Sequence, residues 1–321
     1  MSFSLDVKKE LLNKMDTSRH CQIAEFAALM AFTARITESD DGFIGIESFT
    51  ENPIVVDKIE MLLKTIFDVK ETDYKKTSEQ KNNKLIVINI KKQQLVASIL
   101  QTIKWCDDDF SSIREQFIDS RIIQKDCCKK AFIRGAFLAA GSISDPNKFY
   151  HYEIVCSFED DANKLVDILR FFDLDAKITQ RKNNYVVYLK EGNNITDVLN
   201  LMGAVVLQME LYNIMIYKGI SNDVNRKVNC ETANLNKTIE AAVKQINDIE
   251  YIRDTVGLDK LKPNLREVAI ARMENQDSNL KDLGEMLDPP VGKSGVNHRL
   301  RKIGEFADAI RTKRGEMTLR D

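Results

Sequence analysis

The run from Lys293 to Lys302 carries Lys293, Arg299, Arg301 and Lys302 with no acid among them, interleaved with Ser294, Asn297 and His298. These side chains suit a DNA duplex: Arg grips guanine bidentately, Asn grips adenine, and Lys, Arg and a capping Ser hold phosphates. Residues near the start of a groove-bound helix reach the bases. Asn297, His298 and Arg301 are therefore the expected readers, with Lys293, Ser294, Arg299 and Lys302 as phosphate clamps. The competing reading is a basic solvated helix face. His20 with Cys21, and Cys127 with Cys128, are soft metal-ligand types. Adjacent residues on a helix point about 100° apart and do not easily converge on one ion, so no metal site is expected there. His151 follows a Pro-Asn loop with no partner visible in the sequence. There is no Gly-rich phosphate loop, nucleophile elbow or Ser/His/Asp arrangement, so neither a catalytic residue nor a cofactor is expected.

The elements that must position the basic run follow from capping and periodicity. Ser278 is the expected cap of a helix from Leu280 to Leu287, Pro289, Pro290 and Gly292 turn the chain, and Ser294 is the expected cap of a final helix reaching Thr312. In that helix Val296, Leu300 and Ile303 recur at helical spacing as the buried side. The pattern is helix, turn, helix over 278–312. The link from Leu287 to Ser294 exceeds the three or four residues usual between such helices, which implies an unusual crossing angle. Further helices are expected at Lys237 to Val256 and Leu265 to Met273.

Small residues organise the first two thirds of the chain. In AFIRGAFLAAGSISD, Ala131, Gly135 and Ala139, with Ala136 and Ala140, fall four apart on one side of a helix. In TSRHCQIAEFAALMAFTAR, Ala24, Ala28 and Ala31, with Ala27 and Ala34, make a second such face. The two helices are expected to pack side by side. Each is followed by the same order of elements: strand, helix, strand, turn, strand. After the first come GFIGIESF, Pro53 to Phe67, DVKETDYKK and LIVINI; after the second, YHYEIVCSF, Asp160 to Phe172, AKITQR and YVVYLK. KNNKLIVI at Lys81 and KNNYVVYL at Lys182 share a turn and a strand pattern, the Asn-Asn pair tolerating the positive backbone angles of tight hairpins. An internal duplication is the inference, with repeats at about 16–105 and 123–218. Ahead of them, Ser2 to Lys14 reads as an amphipathic helix, Leu5, Leu11 and Leu12 inward and Lys8, Lys9 and Glu10 solvated, and Asp16, Thr17 and Ser18 offer caps for the next helix.

Composition sets outer limits. With 321 residues, 43% of them hydrophobic, the chain is long enough for two or three domains. A net charge of -2 neither demands nor excludes nucleic acid. Six cysteines with no CxxC pair suggest reduced thiols in a cytoplasmic protein. The start reads as a charged helix with no signal peptide, and no apolar run approaches the roughly 18 residues that span a bilayer, so no membrane association is expected.

IRGAFLAAGS, from Ile133 to Ser142, resembles the motif of the LAGLIDADG homing endonucleases, with Gly135, Ala139, Gly141 and Ser142 in matching places. That resemblance implies a two-repeat saddle whose motif helices pack centrally and whose sheets grip DNA. It also implies one metal-binding acid per helix just before the final glycine. Here those positions are Ala140 and, by the repeat alignment, Thr33. Neither supplies a carboxylate for Mg²⁺, and Asp40, Asp41 and Asp145 lie beyond the helix ends, so cleavage is not expected. Lys81, Lys84, Lys91, Lys92, Arg181, Lys182 and Lys190 on the hairpins read equally as phosphate contacts or as solubilising edge charges. Over nearly the whole chain, AFIRGAFLAAGSISDP, the NRxxNCETAN run at Asn225 to Asn234, and DPPVGKSGVNHRLRKI at Asp288 to Ile303 resemble the WhiA family of bacterial transcriptional regulators. This resemblance implies a DNA-binding protein linked to sporulation in some bacteria and to cell division or chromosome segregation in others.

The combined expectation is an α+β duplicated saddle over 1–220, then a polar linker and an all-α helix-turn-helix domain over 221–321. Its partner is double-stranded DNA, with another transcription or division protein as a candidate for the saddle, and its location is the cytoplasm, on the nucleoid. The seam residues are Ala24, Ala28, Ala31, Gly135, Ala136, Ala139 and Ala140. Two rivals stay open: an interaction module with weak general DNA affinity, and a working metal-dependent endonuclease.

Overall fold

Residues 2–38, 44–78, 85–107, 110, 112–114 and 118–315 are described by the computed structural model. Its first unit, Met1–Gly219, opens with α1 (Phe3–Leu12), α2 (Arg19–Thr33), β1 (Ala34–Glu38), β2 (Ile44–Thr50), α3 (Pro53–Phe67), β3 (Lys75–Ser78), β4 (Ile86–Ile90) and α4 (Gln93–Thr102). The order then recurs as α5 (Asp126–Ala140), β5 (Gly141–Ile143), β6 (Tyr152–Cys156), α6 (Glu159–Arg170), β7 (Lys177–Arg181), β8 (Asn184–Leu189) and α7 (Gly192–Met202). A 51-residue helix, α8 (Val205–Thr255), contains the boundary to the second unit, Ile220–Asp321. That unit adds α9 (Pro263–Glu274), α10 (Leu280–Glu285) and α11 (Lys293–Arg314).

The duplication is explicit in the strand order. Both sheets are antiparallel and four-stranded, running β1-β2-β4-β3 and β5-β6-β8-β7. Helices α2 and α5 pass directly into β1 and β5, so Thr33 corresponds to Ala140 and Ala34 to Gly141, as the sequence alignment has it. Alternation explains the faces of β6: Tyr152, Ile154 and Cys156 are buried, whereas Glu153 and Val155 are only half-buried on the other side. Strands β1 and β5 and helices α4 and α7 escape the sequence pattern; β5 is three residues long, too short to show a period.

The small faces of α2 and α5 meet. A Cβ on Gly135 would lie 2.4 Å from the Glu25 carbonyl oxygen and 2.9 Å from Ala28 Cβ, so only glycine lets the backbones approach this closely. Ala24, Ala28, Ala31 and Ala136 are buried at the seam, and Ala139 and Ala140 are half-buried against the same core. The seam also holds charge. Arg134 on α5 pairs with Glu25 on α2 and with Asp16, and Lys58 on α3 pairs with Glu25 at 3.1 Å. Lys58 Nζ also donates to the carbonyls of Leu11, Leu12 and Lys14.

Several local expectations change. The polar stretch after Asn222 is helix within α8 rather than a linker, its exposed residues satisfying their backbone groups internally. Lys8 is not solvated: its Nζ donates to the Leu138 carbonyl at 3.0 Å, and burial lowers its pKa to about 8. Val7, not Leu5 or Leu12, joins Leu11 on the buried side of α1. At the second hairpin the positive φ, 54°, belongs to Lys182, while Asn184 begins β8. Lys81 to Lys84, Asp40 and Asp41 lie outside the described residues. So does the start of GFIGIESF.

Contrary to the expectation from helix geometry, the four soft ligands converge. His20, Cys21, Cys127 and Cys128 place one ligand atom each within 4.8 Å of one another. The pairs occupy the first turns of α2 and α5, where the helices are in close contact. One member of each pair points inward and the other lies on the rim, so 100° of separation straddles the seam.

Candidate nucleic-acid interface

In the second unit a small core fixes three helices around the basic run. Val268 and Ala269 of α9, Leu283 of α10, Leu287, and Val296, Leu300, Ile303 and Ala307 of α11 are buried together with Ile249, Ile252 and Leu261. Helix α10 is capped by Asn279, not Ser278: the Asn279 carboxamide oxygen accepts from the Lys281 and Asp282 amides at 2.9 and 3.1 Å. Asn is among the strongest capping residues, and it wins over the Ser that precedes it.

The long connection to α11 is packed rather than open. Val291 N donates to the Gly284 carbonyl at 2.9 Å, and a Cβ on Gly284 would lie 1.9 Å from the Val291 oxygen. The link folds back on α10, which is how seven or so residues replace a short turn. Helix α11 begins at Lys293 with Gly292 as its N-cap, so Ser294 lies inside the first turn rather than capping it. No side chain caps this terminus. Its far end is tied to α8 by Arg311, which donates to Asp248 at 2.7 Å and stacks over the Tyr251 ring.

Six of the seven predicted contact residues share one exposed face. Lys293, Asn297 and Arg301 form one row at four-residue spacing, and Ser294, His298 and Lys302 a parallel row beside it; all are exposed. Arg301 keeps only a loose contact with Glu305, 3.5 Å away, and is 66% exposed. Arg299 departs from this face. Its guanidinium turns to α9, donating to the Asn264 carbonyl at 3.4 Å with Glu267 at 3.8 Å, and the side chain is 23% exposed. It lies between the Val296 and Leu300 positions, so it faces a neighbouring helix and not solvent.

Arg272, which no sequence motif marks, holds the approach to α10. Buried on α9, it donates to the Gln276 and Ser278 carbonyls at 3.3 and 2.7 Å, and burial lowers its pKa. Nothing in its local pattern distinguishes it from a solvated arginine.

The positions that carry acids in the homing-endonuclease motif hold no carboxylate. Thr33 Oγ1 donates to the Leu29 carbonyl at 2.7 Å and lies 2.8 Å from Ser48 Oγ, and Ala140 has no donor at all. These residues do not fit a catalytic divalent cation. On the sheets, several described cations are engaged locally: Arg35 with Glu47, Lys92 with Asp73, Arg181 with Glu153, and Lys190 over the Tyr188 ring. His151 finds its partner there, its Nε2 lying 3.0 Å from Glu153 Oε2. Lys91 and Lys182 are exposed.

Among the described residues no helix is long and apolar enough to cross a membrane. Three family models match along the chain: the WhiA N-terminal LAGLIDADG-like domain over residues 19–105, the WhiA LAGLIDADG-like domain over 129–221, and the WhiA C-terminal HTH domain over 224–307. A protein of Lachnospira eligens named "Probable cell division protein WhiA" is 64% identical over 315 residues, covering 98% of this chain and 99% of its own. Its namesake in Lachnoclostridium phytofermentans is 45% identical, covering 97% of this chain and all of its own length. The crystal structure of full-length WhiA from Thermatoga maritima matches with a TM-score of 0.57 at 25% identity, covering 96% of this chain and 99% of that one.

Proposed function

The chain belongs to the WhiA family, and from that premise we propose that it is a sequence-specific DNA-binding regulator that reads the major groove with the first half of α11 and performs no catalysis. The observation that carries this reading is the pair of exposed rows: Lys293, Asn297 and Arg301 beside Ser294, His298 and Lys302. Base-reading and phosphate-holding types alternate there on a helix whose buried side is anchored on α9 and α10. Asn297, His298 and Arg301 read base edges; Lys293, Ser294 and Lys302 hold phosphates, helped by the first-turn amides of α11. Arg299 is a positioning residue.

The saddle serves a protein partner, a transcription or division protein. The ion pairs that engage three of its sheet cations, Arg35, Lys92 and Arg181, favour this assignment over a second DNA grip. Control of cell-division genes follows the name its relatives carry; roles in sporulation and chromosome segregation, and a place on the nucleoid in the cytoplasm, belong to the same proposal. Footprinting of genomic fragments tests it. Protection confined to one recurring motif is the expected result, and uniform, salt-sensitive coating of any duplex overturns it. Incubation with plasmid and Mg²⁺ or Mn²⁺ is expected to leave the plasmid uncut.

A further inference from the structure

The first turns of the seam helices bring four soft donors together, His20 and Cys21 from α2 and Cys127 and Cys128 from α5. His20 Nδ1 lies 3.3 Å from Cys21 Sγ, 3.3 Å from Cys128 Sγ and 4.0 Å from Cys127 Sγ. A tetrahedral zinc with ordinary bond lengths sets nitrogen and sulfur ligands about 3.6 Å apart and sulfurs about 3.8 Å apart. The observed nitrogen–sulfur distances bracket the first value, and every pair of ligand atoms lies within 4.8 Å. Small side-chain adjustments close the shell.

The surroundings suit an ion. Cys21 and Cys128 are buried while His20 and Cys127 are exposed, so a cation can arrive from solvent and end half enclosed. Three thiolates, one neutral imidazole and Zn²⁺ carry a net charge of −1. Two helix N-termini, neither engaged by a side-chain cap, offset it with their dipoles. Lys104 and Lys125 line the same hollow as His20 and Cys128, as does Arg121, itself paired with Asp119. Asp16, and Asp126 in the first turn of α5, are acids that oppose them.

We infer that His20, Cys21, Cys127 and Cys128 form a structural zinc site that staples the two repeats together at the start of the seam. Each cysteine that binds sheds one proton, and nothing is oxidised or reduced. Four protein ligands leave no open position for a reacting water, which makes the ion structural. The site lies about 20 Å from Thr33, thirteen residues along α2 at 1.5 Å each, far from the positions of the endonuclease acids. It is independent of the DNA-reading proposal.

The test uses the full chain, untagged and kept reduced. About one zinc per chain is expected by elemental analysis, and exchange into Co²⁺ should give the ligand-field and sulfur-to-cobalt absorption of a tetrahedral thiolate site. Bound zinc should shield Cys21, Cys127 and Cys128 from alkylation while exposed Cys230 still reacts. The double variant His20→Gln, Cys127→Ser alters only exposed ligands and should keep the native circular dichroism. Its zinc affinity should fall by more than about 100-fold, beyond the range carried by outer-shell partners. A full chain that takes up neither zinc nor cobalt overturns the inference, as does undiminished binding in the double variant or a native disulfide among these cysteines.

Discussion

Arg134 on α5 and Glu25 on α2 form a bidentate pair across the seam, Nε to Oε1 at 2.9 Å and Nη2 to Oε2 at 2.9 Å, with both side chains out of solvent. They stand 109 positions apart in the chain. Burial works against both charges, and Lys58 and Asp16 complete the set so that two acids face two bases. Burial lowers the pKa of Lys58 despite Glu25, whereas the two acids hold Arg134 above its ordinary value despite its burial. The seam therefore has two parts, close backbone contact and an internal ion network, and neither requires the acids of a nuclease.

Arg134→Met removes one member of this network and leaves Asp16 and Glu25 sharing Lys58 alone. Removing one partner of a buried pair costs about 3–5 kcal/mol, so the urea midpoint of the first unit should fall sharply. A change within about 0.5 kcal/mol, the scale of an ordinary surface substitution, would contradict a structural role for the pair.

Gly135→Ala adds a Cβ 2.4 Å from the Glu25 carbonyl oxygen. Alanine favours an isolated helix by up to about 1 kcal/mol over glycine, yet overpacking costs about 1–3 kcal/mol, so net destabilisation is expected. Thermal unfolding decides the sign, and a stabilised variant would mean the helices have room to part.

Two arginines two residues apart should behave differently. Arg301→Ala is expected to lower affinity for the specific site by about 1–3 kcal/mol and to relax its sequence preference. Arg299→Ala should leave the preference intact and loosen the packing of α11 on α9 instead. Lys302→Ala should weaken binding to all duplexes alike and reduce the salt dependence by about one counterion. Equal losses of specificity at 299 and 301 would refute the division.

Asp161, in the first turn of α6, is buried, and burial raises its pKa to about 6. Between about 4, the ordinary aspartate value, and about 6 the folded chain binds the extra proton. Its contribution to stability is complete below that window and is lost as pH rises through it. Asp161→Asn should flatten this part of the stability profile, raising stability relative to the parent at pH 7. Parallel pH profiles for the two proteins would show that Asp161 titrates normally.

Short-range pattern was enough for the duplication, the small seam faces and the buried side of α11, because each is a repeat of residue types over a few turns or strands. KNNYVVYL, Gly135 with Ala139, and Val296 with Leu300 and Ile303 announce their roles locally. The sequence also decided that these two motif positions carry no acid, since Thr33 and Ala140 cannot become carboxylates in any fold. Tertiary structure alone decided the rest. Whether Arg299 faces DNA or α9, whether Glu25 meets Arg134, and whether His20 reaches Cys128 all depend on the angle and separation of helices far apart in the chain. A few ångströms of helix approach, permitted by one missing Cβ at Gly135, turn separate residues into a network and a candidate metal site.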